Sequence, residues 1–583
     1  INPFVIDDVH IQKGVYSPSY ENRIGGILDI RLSEDPASSL HGAIGSTMTE
    51  AHGELSIPII TKKLRLQLSG RHSIANLIHD NPTLESYGRK LFRSTELFDE
   101  KEEDENLDES DTGINYSDIT AKLMYRPNDQ FYFSSSFLRT ENNFEHAFNF
   151  GIEEPAGRDN LYTYSLIWTN LLSYKWNDRS ITSLRANLSK YNSLYDFNFN
   201  ESSGSTSSIL RSNANDISDL QIKWTHQFLW KDFDFEGGYT FDFKDLSYSI
   251  SEESRFEEDL TGGDDQVGNF HHLYLNSRWH HGDWLFEIGG RGTFWDEDQS
   301  FIFSPRFNIS RSLTPDLNIK FSGGLFNQYI RQLEQFNESS LNLENQLWVL
   351  ATEDLMTAQK LGIGLIYQKK GWLIDIDTYY QFADRVPVLT SGQSSELEIN
   401  SMGNLNSIGL ELLIKRRWQQ WHSALSYHLS EVTFNIPEFI DEQFPGNNDQ
   451  RHNLTWINYF KYKSWSIGAQ YQFRSGLPFT EIDELTYVEE DEEDYYEVKV
   501  DGLNDQRLGH YHRLDLYIGF QKLLANQMQF DAQLSLLNIL NFQNTTSRSY
   551  VLSESATGSD PEIFEVEKLQ LGRTPQVLFR LSF

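Results

Sequence analysis

Cysteine is absent from the 583 residues, methionine occurs five times, and no long apolar run interrupts a mainly polar chain. Without cysteine there are no disulfide scaffolds, thiolate metal sites or thiol nucleophiles. A membrane-spanning helix needs roughly 18 consecutive apolar residues, and no stretch approaches that length. Positive charge is the scarce sign: 49 Lys and Arg stand against 85 Asp and Glu, a formal net charge of −36. Nucleic acid, which is bound by basic stripes, is thereby excluded as a partner. Helical periodicity is not sustained anywhere. Aromatic residues are abundant, with 39 Phe, 28 Tyr and 13 Trp, too much buryable surface for a disordered chain. The class that remains is large, aromatic-rich and β-rich.

Period-2 alternation runs through the chain. Leu317, Ile319 and Phe321 alternate with Asn318, Lys320 and Ser322; Leu514, Leu516, Ile518 and Phe520 alternate with Arg513, Asp515, Tyr517 and Gly519. Such segments place apolar side chains on one strand face and polar ones on the other. The chain ends in the same way, with Val577, Phe579, Leu581 and Phe583 on one face and Arg580 and Ser582 on the other. A terminal strand that exposes phenylalanine makes physical sense where that face meets lipid.

The connections come in two kinds. Tight ones, such as Lys62-Lys63, Asn177-Asp178-Arg179, Lys231-Asp232, Thr314-Pro315-Asp316 and Lys369-Lys370-Gly371, carry residues suited to turn backbones. Between them lie long polar stretches at 75–114, 139–160, 251–266, 328–354, 475–508 and 539–572, expected to be loops. From residue 38 onward this spacing predicts an all-β fold, a 22-stranded antiparallel transmembrane β-barrel with short turns on one side and long loops on the other. Trp176, Trp230, Trp279, Trp284, Trp372, Trp418, Trp421 and Trp465 all fall within three residues of a tight turn. Indole rings favour the headgroup zone, so these predict an aromatic girdle. Acids gather in the loops, ten of them within 96–111 and ten within 481–497. Solvated surface is the first reading of such runs, and cation or substrate binding the second.

Chemistry-bearing motifs are few. The doublets His271-His272 and His280-His281 place neighbouring rings on opposite strand faces, and His510 with His512 has no third ligand in view. Asp104-Glu105-Asn106-Leu107-Asp108 opens like a calcium loop, but Glu109 stands where glycine is needed and Asn115 where the closing glutamate is needed. No nucleophile elbow, phosphate-cradling loop or His-Glu-x-x-His occurs, so the reading is that the protein is not an enzyme and needs neither metal nor cofactor.

The opening stretch, Ile11-Gln12-Lys13-Gly14, then Tyr20, Arg23 and Gly25-Gly26-Ile27-Leu28-Asp29-Ile30, resembles the end of the plug domain of TonB-dependent outer-membrane receptors. Glu21 follows Tyr20 where that family usually has glycine. Further similarities run in the family's order through Ser304-Pro305-Arg306, Asp449-Gln450-Arg451-His452, Ser475-Gly476-Leu477-Pro478, Tyr511-His512-Arg513-Leu514-Asp515 and Leu537-Asn538-Ile539-Leu540-Asn541. The plug tail is similar to the branch that carries a carboxypeptidase-regulatory-like domain ahead of the plug. The resemblance implies that 1–37 is the C-terminal part of a plug domain and 38–583 the barrel. It implies import of a scarce nutrient across the Gram-negative cell outer membrane, long loops outside and short turns in the periplasm. The partners implied are outer-membrane lipid, the TonB complex through a region upstream of Ile1, and a surface lipoprotein or other outer-membrane subunits. The alternative is a non-transporting barrel that serves as a structural subunit of an outer-membrane complex.

Substrate contacts are expected on loop inner faces, with Arg331, Asp384 and Arg385 near the loop bases as candidates; lumen salt bridges are the structural alternative for them. Arg65, Asp375, Asp377, Arg513, Asp515 and Arg580 are expected to form a charged inner wall. A lumen this wide is expected to be plugged, with 1–37 inside it.

Overall fold

The computed structural model describes the chain apart from residues 1, 21, 35–38, 75–95, 98–110, 150–155, 201–208, 255–259, 298, 336–346, 352–354, 391–397, 438–439, 483, 489–494, 500–501, 525–527, 554–561 and 571. Among the described residues the only helix is a 3-10 turn at Pro3–Val5. Twenty-two long antiparallel strands, from His41–Thr47 to Thr574–Ser582, close into one barrel. The last strand closes it, pairing with Gln529–Leu537 on one side and with His41–Thr47 on the other. Two short pieces extend the sheet. Glu334–Gln335 runs parallel to Val388–Leu389, and Ile440–Pro445 pairs with Trp421–Ile436.

Side-chain alternation sets which face is which. His272 is fully buried inside while its neighbour Leu273 is 67% exposed outside. Leu275, Ile288, Phe301, Phe303, Ile363 and Ile467 are likewise exposed outward. These residues would be costly in water, and a bilayer resolves that cost. Inside, the expected charges are paired: Lys320 bridges Asp375 at 3.0 Å and Asp377 at 2.8 Å, Arg513 meets Asp515 at 2.7 Å, and Arg580 meets Glu54. Arg65 is buried and donates to Ser56 Oγ at 2.6 Å.

The stretches 139–160 and 251–266 are not the loops their polarity suggests. Phe131–Asn149 and Ala156–Asn177 stay paired up to Asn149 and Ala156, and Phe233–Ser254 pairs with Leu260–His281 as far as Glu252 and Leu260. The strands of this region reach 22 residues. At about 3.3 Å per residue they far exceed the roughly 30 Å of hydrocarbon. Above the bilayer a strand keeps its backbone bonds while both faces turn polar, so alternation fades where pairing continues.

Of the acidic runs, 98–110 and with it the calcium-like Asp104-to-Glu109 segment lie outside the described residues. In the second run Glu484–Val488 pairs with Tyr495–Lys499, and its acids at 483 and 489–494 lie outside the described residues. At the turn end Trp176, Trp230, Trp372, Trp418, Trp421 and Trp465 are exposed, and Trp279 stacks on Phe233 at 5.5 Å.

The lipid-facing reading predicts an asymmetry between the faces. Ile363→Arg should destabilise the folded barrel by about 2–4 kcal/mol, the range for arginine near the bilayer midplane. Gln470→Arg should be tolerated, because it faces inward beside Asp515. Urea unfolding in lipid vesicles, followed by heat-modifiable gel migration, measures both.

Candidate functional site

Residues 2–34 hold a small antiparallel hairpin, Ile6–Gln12 with Ile27–Leu32, that is separate from the barrel sheet. Its contacts reach strands far apart around the wall. Asn2, fully buried, gives its backbone N–H to Asp118 Oδ1 at 3.0 Å and its side-chain amide to Ser69 Oγ at 3.0 Å. Phe4 stacks on His52 at 4.6 Å, beneath the Arg580 guanidinium. Lys122 Nζ donates to the carbonyl of Leu32 at 3.1 Å, Arg65 to Ser33 Oγ at 3.2 Å, and Lys13 pairs with Glu411 at 3.1 Å. A segment bonded to strands on several arcs of a closed barrel lies inside it.

The densest contacts fall on the connection between the two hairpin strands. Arg306 Nη1 donates to the carbonyls of Tyr16, Ser17 and Tyr20 at 3.2, 2.8 and 3.3 Å. Arg291 donates to the carbonyl of Pro18 at 3.1 Å, Lys223 to that of Ser19, and Lys360 to those of Gly25 and Gly14 at 2.8 and 3.4 Å. The Arg306 guanidinium also lies 5.0 Å over the Tyr16 ring and 4.3 Å over Phe326. Charge-assisted bonds of this kind contribute about 1.5–3 kcal/mol each, so this backbone is held as firmly as a ligand. Burial pushes the Tyr16 hydroxyl up to about 12, so it stays protonated and donates to the Arg23 carbonyl. Gly289 makes the close approach possible, since a Cβ there would stand 2.8 Å from Cγ of Pro18.

The same segment grips a wall loop that folds inward. Asn22, in a left-handed conformation with φ 51°, accepts the N–H groups of Tyr329 and Ile330 at 2.8 and 3.1 Å. Ile24 N–H donates to Gln328 Oε1 at 3.0 Å. Beyond them Ile330–Gln332 pairs with Trp348–Leu350, and Asn215 bonds both the N–H and the carbonyl of Trp348 at 3.0 Å. The Tyr329 hydroxyl, fully buried, donates to Asp242 Oδ2 at 2.8 Å; the same carboxylate takes Gln221 at 2.9 Å and lies 3.3 Å from His272. Phe270 stacks on the Tyr329 ring at 3.9 Å. Leu246, Phe270, Trp295, Tyr329, Leu350 and Leu355 form an apolar cluster here, and Tyr16 belongs to another with Phe326, Ala383, Phe434 and Leu503. The core of this barrel is therefore its interior. Two cavities flank the docked segment, one of about 550 Å³ beside Lys13, Lys320 and Lys360, the other of about 490 Å³ beside Arg31, Arg185 and Lys223.

Among the candidates, Arg331 is buried and donates to the carbonyl of Arg385 at 3.3 Å. Asp384 Oδ1 accepts the N–H of Arg385, whose φ is 61°. The three thus meet through the Arg385 backbone. The later sequence motifs converge too. Asp449, fully buried, accepts the N–H of Val432 at 2.9 Å and binds Arg507; Ser475 Oγ accepts the N–H of His452 at 3.0 Å; Asp515 accepts the N–H of Asn538 at 2.9 Å. His271 faces outward to Tyr239 at 2.6 Å while His272 faces inward, so that doublet is split. No group of three or more His, Asp or Glu suited to a metal occurs among the described residues. The docking residues Asn22, Lys223, Arg291 and Lys360 were not singled out from the sequence. An isolated cation in an inward register, such as Arg291 between Gly290 and Gly292, is the signal that could have found them.

A lipid-facing barrel of this size with an occupied interior defines a filled outer-membrane barrel rather than an open pore. The family model described as TonB dependent receptor-like, beta-barrel, matches residues 104–542, and the chain belongs to the TonB-dependent receptors of the Gram-negative outer membrane. No curated protein matches it in sequence. Its fold is similar to that of the ferric yersiniabactin uptake receptor FyuA from Yersinia pestis, at 13% identity and TM-score 0.65 over 96% of this chain and 82% of that one. The siderophore receptor PirA from Pseudomonas aeruginosa has 11% identity, TM-score 0.61, and coverage of 100% and 88%. The copper transporter OprC has 10% identity, TM-score 0.65, and coverage of 100% and 86%.

The Asn22 contact carries a prediction. Asn22→Gly preserves the left-handed backbone but orphans two buried N–H groups, at about 1–3 kcal/mol each. Hydrogen exchange at Tyr329 and Ile330 should accelerate at least tenfold, with the barrel strands unchanged.

Proposed function

We propose that the protein imports a scarce nutrient by TonB-energised displacement of a plug, of which residues 1–37 are the C-terminal end and 38–583 the surrounding barrel. The observation that supports this is the mode of docking. The segment from Gly14 to Gly25 is held by wall cations on its carbonyls, bonds that can be broken and remade without unfolding either partner. In this reading the long loops are extracellular and the turns periplasmic, and the coupling sequence for TonB belongs upstream of Ile1. Asp384 and Arg385 serve as ligand contacts at the loop base, with Arg331 positioning them. A surface lipoprotein on the acidic loops would deliver the nutrient.

Deletion in the native host, followed by growth on single limiting nutrients, tests the function. Loss of growth on one nutrient supports import; envelope assembly defects without nutrient dependence would show a scaffold instead. The docking makes a second prediction. Arg306→Met with Lys360→Met takes the donors from the carbonyls of Gly14, Tyr16, Ser17, Tyr20 and Gly25 and leaves only Arg291 and Lys223 on Pro18 and Ser19, so the lumen should leak. Sensitivity to antibiotics too large for porins should rise several-fold at unchanged levels of folded barrel.

A further inference from the structure

The charge of this chain is unevenly placed. Acids gather in the loops, whereas the turn end of the barrel carries exposed cations set beside the aromatic girdle. On four separate hairpins an outward-facing cation lies over an outward-facing ring. Lys231 is 5.2 Å from the Trp230 ring, Arg311 5.1 Å from Trp284, and Lys463 5.3 Å from Tyr462. Arg416 sits between Trp372 and Trp418, at 4.7 and 4.8 Å. Among the described residues none of these four has a carboxylate partner, and Arg416 bonds the carbonyl of Lys370. By contrast Lys175 and Lys369, at the same end, are neutralised by Asp178 and Asp316.

A second observation points the same way. Lys62, Lys231, Lys370 and Lys463 occupy left-handed turn positions, with φ of 62°, 55°, 45° and 53°. Glycine or asparagine would hold that backbone at lower cost, as Gly282 does at another turn. Lysine stands at all four positions despite its backbone preference, which places four ammonium groups at the turn end.

We propose that the turn-side rim is a collar for anionic phospholipid, each ring lying in the headgroup zone while the cation above it binds a lipid phosphate. The four sites lie on hairpins distributed around the perimeter, at 230–233, 284–311, 372–418 and 462–465. That spread suits annular lipid and does not suit one docked protein. The collar is independent of transport, since a scaffold of the same fold would carry it too.

The girdle supplies its own probe. The full-length protein is reconstituted in phosphatidylcholine bilayers, and tryptophan quenching by brominated phosphatidylglycerol is compared with quenching by brominated phosphatidylcholine. The native protein should prefer phosphatidylglycerol by about threefold or more at low salt, with the preference falling towards one at high salt. Lys231→Asn, Arg311→Gln, Arg416→Gln and Lys463→Asn combined should abolish it. Should that variant not fold, Lys231→Asn with Lys463→Asn, both at turns that asparagine accommodates, should lower it. A native ratio of one, a ratio insensitive to salt, or a preference kept in the folded variants would overturn the proposal.

Discussion

A barrel of this width must fill its interior with something other than side chains, and every buried feature of the molecule answers to that constraint. The filling is polar backbone from the described residues of 2–34 and from the inturned residues 329–335 and 347–350. Polar backbone can be buried only when its carbonyl and N–H groups find partners. The wall provides Arg306, Arg291, Lys223 and Lys360 for carbonyls of residues 2–34 and Asn215 for Trp348, while Asn22 of the docked segment takes the N–H groups of Tyr329 and Ile330. The cations need the carbonyls as much as the reverse, since a buried charge left unpaired is expensive. Wall and filling thus stabilise each other, and neither is complete alone.

In the proposed import cycle this mutual dependence lets a rigid sheet hold a removable part. The strands are tied by ladders that run the length of the barrel and close on themselves. The docked segment has its own two-strand ladder and a set of side-chain bonds to the wall. A pull on the segment would break those bonds and leave the ladders intact. Asn22 and Ile24 tie the segment to the loop base at Gln328, Tyr329 and Ile330, so its displacement would be felt there.

The sheet was legible in the sequence because its physics is local. Alternation at Leu317–Ser322 and turn chemistry at Asn177-Asp178 each need only a few neighbours to be read. The long strand extensions were not legible, since above the bilayer both faces meet water and the alternating signal vanishes. The contacts of the candidate residues were not legible. Arg331 bonds the Arg385 carbonyl, and that bond depends on a backbone shape that no local pattern announces. The docking cations were hidden for a related reason. Arg291 donates to a carbonyl 273 residues away, and a lone inward arginine reads the same whether it meets water, carboxylate or backbone.

The central claim is that the segment around Pro18 is docked on the wall by cations, and thiol accessibility tests it most directly. This chain has no cysteine, so Ser19→Cys, at a buried position of the docked connection, introduces a single thiol. In native membranes that thiol should react with a water-soluble maleimide at least tenfold more slowly than a cysteine placed at exposed Lys13, and Arg306→Met in the same background should accelerate the reaction. A thiol at position 19 that labels at once from bulk solution, at a rate Arg306→Met leaves unchanged, would contradict the account.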